Sequence, residues 1–282
     1  MRLSNHRPYL SKRLNPKITP FSFAISQLRR NQQLQTKRVT MPPSNYLFFK
    51  PNTDFQLFGP QHLMMIAVTM LLAIGLSFFA KWKLTEAQQV QLGRAMTLIM
   101  AVAVVGWIAI RMWEGVFDPK TDLPFDVCNL VALALPVLMW TPKHRVQEVL
   151  YFWIFAGTTQ AVLTPHLFEG FPHYTFVKYW TVHGGLVVFA VYATLVFGIR
   201  PTWKSLWRAF LLLQVYVVAL FGINLLLGSN YAYLMGKPPT ASAFDYLGPY
   251  PWYLLVSEGV ALVCFVLALL PVLLSSSKKA VV

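Results

Sequence analysis

Acidic residues are scarce in this chain: ten Asp or Glu among 282 residues, against 24 Lys or Arg, so that only 12% of the chain is charged. A soluble globule averages about 25% charged residues, and the shortfall excludes that class. Cysteine occurs twice, at Cys128 and Cys264. Missing altogether are a GxSxG elbow, an HExxH helix, a CxxC pair and a glycine-rich phosphate cradle, which removes the hydrolase, zinc-peptidase and nucleotide readings those motifs carry. Nor is any stretch between apolar runs long enough for a soluble domain, so nucleic-acid binding is excluded despite a net charge of +14.

What fills the chain is hydrocarbon: 56% of residues are hydrophobic. A helical span needs about 20 apolar residues. Seven runs approach that length, near 62–80, 95–113, 123–140, 147–167, 176–199, 206–228 and 250–274. Backbone facing lipid must satisfy its own hydrogen bonds, which leaves helices as the only form for such runs. The expected fold is all-α: one seven-helix transmembrane bundle, with the lipid bilayer as its surroundings and the cell membrane as its location. Trp82, Trp113, Trp140, Trp180, Trp203, Trp207 and Trp252 fall at or near span ends, as an interfacial belt requires. Trp107 and Trp153 fall inside spans and are expected to pack against neighbouring helices.

Orientation follows from the loops. Lys81, Lys83 and Arg94, then Lys143 and Arg145, then Arg200 and Lys204, then Lys278 and Lys279 mark alternate connections and the C-terminal tail. The intervening connections carry Glu114, Asp118, Asp122, Glu169 and Asp245. Positive residues mark the cytoplasmic side, so the C-terminus is expected inside and the N-terminus outside. Residues 1–40 clash with that result, holding nine Lys or Arg and no acid. The expectation is that they are disordered or precede the true start at Met41. The rival reading is an organellar targeting peptide, which an Arg-rich, acid-free leader also suits.

Depth sorts the polar residues. With this topology Arg111, Glu114, Asp126, Cys128, Asn129, Gln160, His166, His183, Asn224 and Glu258 all fall in the outer half of six spans, with Asn230 just beyond the sixth. The inner halves are Leu, Val, Ile, Phe and Ala. A polar group facing lipid is costly, and groups at one depth on several helices can share a chamber. An outward-facing polar pocket over an apolar plug is expected, with Arg111 paired to Glu114, Asp126 or Glu258. Cys128 lies about 7 Å below the outer boundary and Cys264 about 21 Å. A disulfide needs Cα atoms within about 7 Å, so Cys128 is expected to be a free thiol.

Five stretches carry a resemblance: "FQLFGPQH" (55–62), "LPFDVC" (123–128), "TPHLFEGFP" (164–172), "TVHGG" (181–185) and "GSNYAYLMGKPPTASAFDYLGPYPWYLLVSE" (228–258). In order, they resemble the YwaF-like family of bacterial integral membrane proteins. That family is similar in turn to eukaryotic transmembrane protein 164, regarded as a phospholipid acyltransferase that uses a cysteine. It is more remotely similar to the androgen-induced-gene membrane hydrolases, which pair a nucleophile with a histidine. The resemblance places the third-span cysteine at Cys128 and the fifth-span histidine at His183. Asp126 stands where the family motif has a histidine, a departure that bears on any cysteine mechanism.

The chemistry open to these residues is acyl transfer through a thioester. His183 is expected at about 10 Å depth against about 7 Å for Cys128, and a neighbouring imidazole can activate a thiol. Asn129 or Asn224 could donate to an oxyanion. On a continuous helix Asp126 and Cys128 would sit about 200° apart, facing opposite ways. A phospholipid or acyl compound is the substrate that this reading implies, with no cofactor. The alternative is a non-enzymatic receptor or transporter taking a small ligand in the same pocket. Unbroken spans weigh against a transporter, which tends to interrupt its helices. His166 and His173 with His183 or Glu169 match no established metal spacing, and no metal is expected. The 228–251 connection, rich in Gly, Pro and Tyr, is expected to cover the pocket mouth.

Overall fold

The computed structural model describes residues 54–140, 144–238 and 243–277; the 1–40 leader lies outside them. Eight α-helices are described: α1 (Pro60–Lys83), α2 (Glu86–Trp113), α3 (Val127–Trp140), α4 (His144–Trp153), α5 (Thr159–Leu163), α6 (Tyr174–Leu195), α7 (Trp203–Leu227) and α8 (Trp252–Ser277). A π-helical turn, Ile154–Thr158, joins α4 to α5, so these three form one helical segment, the fourth of seven among the described residues. Five helices (α1, α2, α6, α7 and α8) are long and apolar enough to cross a membrane.

Helix ends follow local chemistry. Thr85 and Thr202 each accept from the backbone N–H three residues on, in reciprocal capping boxes that start α2 and α7. Gly228, at φ 62°, ψ 37°, ends α7 in the left-handed conformation that a side chain would resist. Two elements depart from the sequence expectation. The third span has only 14 helical residues, because Leu123–Asp126 run non-helical into it. The fourth is not continuous and stops at Leu163, not 167.

The hub of the bundle is α6. It packs against α1, α2, α3, α5 and the π turn, and is the one long helix mostly buried in the protein. On the others, mid-helix residues such as Leu71 and Val218 are 71% and 73% exposed. Water would penalise so much bare hydrocarbon, whereas lipid accepts it. Met100, Val131, Leu135, Ile154, Val182 and Leu186 form one core joining α2, α3, the π turn and α6. Phe152, Leu206, Phe265 and Leu269 form a second, joining α4, α7 and α8.

Tyrosine hydroxyls tie the helices across these cores. Tyr192 donates to Gln89 O (2.8 Å), Tyr151 to Ala268 O (2.6 Å) and Tyr179 to Ala161 O (2.7 Å). A ring brings apolar area and a hydroxyl that must find an acceptor when buried. The tryptophans divide largely as expected. Trp82, Trp113, Trp140, Trp203, Trp207 and Trp252 are exposed, Trp107 stacks on Tyr174 and Trp153 donates to Ala209 O (3.0 Å). Trp180 is the exception: it is 4% exposed, packed against His62 and Phe176.

Close approach at the hub depends on Gly184 and Gly185. A Cβ on Gly184 would meet Thr69 Oγ1 at 2.9 Å, and one on Gly185 would meet Met100 Sδ at 2.9 Å. Thr69 cannot swing away freely, because its hydroxyl donates to Met65 O at 2.8 Å. Gly184→Val should therefore part α1 from α6 and destabilise the protein by about 1–3 kcal/mol. A lowered thermal midpoint in detergent checks this; an unchanged midpoint would show that the contact yields.

Candidate functional site

Connections gather at one end of the bundle, where Tyr231 meets Pro119 of the 114–126 stretch and Tyr233 meets His166 of the 164–173 stretch. The 114–126 connection is pinned first. Arg111 Nε meets Asp122 Oδ2 at 2.6 Å, its Nη2 donates to Val116 O at 3.0 Å, and its guanidinium lies 5.2 Å from the Trp107 ring centroid. The partner of Arg111 is thus Asp122, in place of the expected Glu114, Asp126 or Glu258. Glu114 is the C-cap of α2, its backbone N–H bonded to Ile110 O. Glu258 accepts from Gln214 at 2.5 Å, in a separate tie between α8 and α7.

Asn224, Ser229 and Tyr231 form a second support. The Asn224 amide donates to Tyr231 O (3.0 Å), and its Oδ1 accepts from Ser229 Oγ (2.7 Å) and Tyr231 N (2.8 Å). Tyr231 then reaches back: its hydroxyl donates to Pro119 O (2.7 Å) and accepts from Leu123 N (3.0 Å). Burial raises the Tyr231 phenol above its ordinary range, which keeps it a neutral donor. Asn230 folds the same loop, bonding Gly236 O and Met235 N. Asn224 and Asn230 are thus engaged within their own connection.

The next two residues, Ala232 and Tyr233, hold φ of 53° and 56°, a region side chains avoid and one that neighbouring contacts must hold in place. Those contacts are present. Ala232 N donates to Asp126 Oδ1 at 3.1 Å, Tyr233 shares a 2.6 Å hydrogen bond with His166 Nδ1, and Tyr253 donates to Tyr233 O. Asp126 occupies the N-cap position of α3, with its own carbonyl accepting from Leu130 N at 3.0 Å. The 200° separation from Cys128 therefore does not apply, because Asp126 precedes the helix.

One turn into the bundle the side chains of three segments meet. Cys128 Sγ lies 3.4 Å from Thr158 Oγ1, the last residue of the π turn. Lys178 on α6 donates to Asn129 Oδ1 at 3.0 Å, and its ammonium is within electrostatic reach of Asp126, Cys128 and Asp122. His183 stacks on Tyr179 with ring centroids 4.1 Å apart, and its Nδ1 is 3.0 Å from Tyr179 O. A carbonyl can only accept, so Nδ1 carries the proton and Nε2 is left as the lone-pair nitrogen. Nε2 has no hydrogen bond among the described residues, and Cys128 and His183 are both half-buried. No hydrogen bond joins these two side chains; the partner of Cys128 is Thr158. Cys264, on α8, is also a free cysteine.

Sequence reading missed Lys178, Thr158 and Tyr179. Lys178 had a signal, since a lone lysine in the apolar 176–199 run needs a reason. Thr158 had none, because a π turn leaves no mark in the hydrophobic pattern. His62 was also missed: it is fully buried, with Nδ1 accepting from Phe58 N and Nε2 donating to Val162 O, each at 2.9 Å. It ties the first span to the fourth. His173 caps α6 by accepting from Thr175 N, and among the described residues no three of His, Cys, Asp or Glu gather to hold a metal.

Of the expected pocket residues, Gln160 alone lines the larger cavity. This space of about 650 Å³ lies on the far side of the π turn, between Tyr151–Gln160, Val191–Arg200 and Cys264–Val272. Gln160 lines it, 3.9 Å from Cys264 Sγ.

Five long apolar helices, lipid-exposed flanks and a polar cluster at one end define a multi-pass membrane protein. Residues 57–269 match the TMEM164 family model, which is more than half of the chain, and the chain belongs to that family. No curated protein and no solved structure matches it.

Proposed function

We propose that this protein moves an acyl group between a membrane lipid and an acceptor, with Cys128 as nucleophile and His183 as base. One observation carries the reading. Tyr179 O fixes the His183 tautomer, leaving a lone pair on Nε2 without a hydrogen bond among the described residues, on a helix that packs against the one carrying the free thiol Cys128. Such a lone pair suits the general-base role. The thiol proton passes to Nε2, the sulfur attacks the ester carbonyl, and a thioester forms as the ester C–O bond breaks. The leaving alkoxide takes the proton from His183. A hydroxyl acceptor, or water, then attacks the thioester and restores the thiol.

The surroundings support this order of events. Thr158 can donate to the sulfur, and Lys178 is anchored beside it on Asn129 Oδ1. Asp126 is held to the Ala232 amide and so is not free to act on the sulfur. Asn129 retains its NH₂ group as an oxyanion donor, because Lys178 engages only Oδ1. Asn224 is less suited, with its amide committed to Tyr231. The N-out orientation and the cell-membrane location remain part of the proposal, and place this cluster toward the extracytoplasmic face.

The test is a trapped intermediate. Purified protein given a phospholipid with a clickable acyl chain should acquire a hydroxylamine-labile label that Cys128→Ala lacks. Labelling that persists in Cys128→Ala would remove the cysteine from the mechanism. A second reading, ligand transport without covalent chemistry, gains from the interrupted third and fourth spans. It requires that Asp126→Asn or Lys178→Met abolish uptake while Cys128→Ala leaves it unchanged.

A further inference from the structure

The 650 Å³ space beyond the π turn is built differently from the polar cluster. Its walls are Phe155, Val191, Leu195, Leu267 and Val272, with Arg200 at one end. Leu267, in the middle of α8, is 58% exposed, so the space opens sideways within the depth of the spans. There the surroundings are hydrocarbon chains, not water. Along α8 the walls run from Cys264 to Val272, about 12 Å at 1.5 Å per residue. The volume falls in the usual range of ligand sites, about 300–1,000 Å³.

The charged end lies where the chain turns from α6 to α7. Arg200 is exposed there, three residues before the exposed Trp203, at the level where tryptophan marks the membrane boundary. Its Nη1 donates to Thr194 O (3.0 Å) and Ile199 O (3.1 Å), which fixes the guanidinium over the groove. Nε and Nη2 make no hydrogen bond among the described residues. Two parallel N–H donors of an arginine match a phosphate. Lys204, also exposed, adds positive charge to the same turn.

We infer that this groove holds one acyl chain of a phospholipid, with the phosphate seated on Arg200. Binding here involves neither Cys128 nor His183, so it stands or falls apart from the acyl-transfer reading. The experiment is a titration of the purified full-length chain with phosphatidylglycerol, followed by native mass spectrometry. Diacylglycerol and inorganic phosphate serve as competitors. One phosphatidylglycerol per chain should persist at low lipid concentration. Arg200→Gln should weaken it about ten- to a hundredfold, as loss of a charged hydrogen-bond partner does, and Val191→Trp should exclude it by filling the groove. If Val191→Trp does not yield monodisperse protein, Leu267→Trp at the exposed mouth replaces it. Unchanged affinity in both the arginine and the tryptophan variants would overturn the inference. So would phosphate competing as well as lipid, which marks an ion site, or diacylglycerol binding as tightly as phosphatidylglycerol, which shows the phosphate is not read.

Discussion

His183→Gln should lower the rate of acyl transfer by about 10²–10⁴, the usual worth of a positioned general base. Glutamine is close in size and can still donate to Tyr179 O, so the packing of α6 should be kept. What it cannot do is accept a proton, and without that step the half-buried Cys128 stays a thiol. Two measurements taken together separate this role from a structural one. The slow thioester step in single turnover should fall, while binding of the lipid and the thermal midpoint stay near wild type. A variant with wild-type turnover would remove His183 as the base. A variant that loses stability and turnover together would instead assign it to the stack with Tyr179 (4.1 Å between centroids).

Asn224→Leu should destabilise the protein by about 3 kcal/mol or more. Leucine has nearly the same volume, so the loss is one of hydrogen bonding. Asn224 is 1% exposed and makes three bonds, to Tyr231 N, Tyr231 O and Ser229 Oγ. Each buried group left without a partner costs about 1–3 kcal/mol, and Ser229 and Tyr231 are buried like Asn224. The effect should also reach the site, because Tyr231 holds Pro119 and Leu123, and Ala232 holds Asp126. Labelling of Cys128 by a thiol reagent should therefore speed up in Asn224→Leu, and its thermal midpoint should fall. An unchanged midpoint would mean that the 228–251 connection does not depend on this knot.

That chain of contacts explains why part of the site was legible beforehand and part was not. Asp126, Cys128, Asn129 and His183 drew notice because polar groups in an apolar run are expensive wherever the run ends up. Asn224 and Arg111 drew notice by the same rule, but their partners lie in connections, where no periodicity constrains which residue returns to which helix. The Arg111 partner therefore emerged as Asp122, eleven residues on, through a turn that the composition of 114–122 does not specify. The Asp126–Cys128 geometry changed for a related reason. The sequence predicts a helix through 123–140, whereas Pro124, a tight turn from Phe125 N to Leu123 O (2.8 Å) and the contact of Tyr216 with Phe125 O (2.7 Å) keep the segment non-helical up to Asp126.

By itself the sequence determined that this chain lives in a membrane, how many times the apolar runs recur, and which residues are too polar to face lipid. Those properties are additive along the chain, each a transfer free energy that a residue carries with it. Only the tertiary structure decided that α6 is the hub, that Lys178 and Thr158 stand beside Cys128, and that the roomy cavity is walled by α4, α6 and α8. Those depend on which helix faces which, and on a π turn and a left-handed loop whose formation is repaid by contacts with residues distant in sequence.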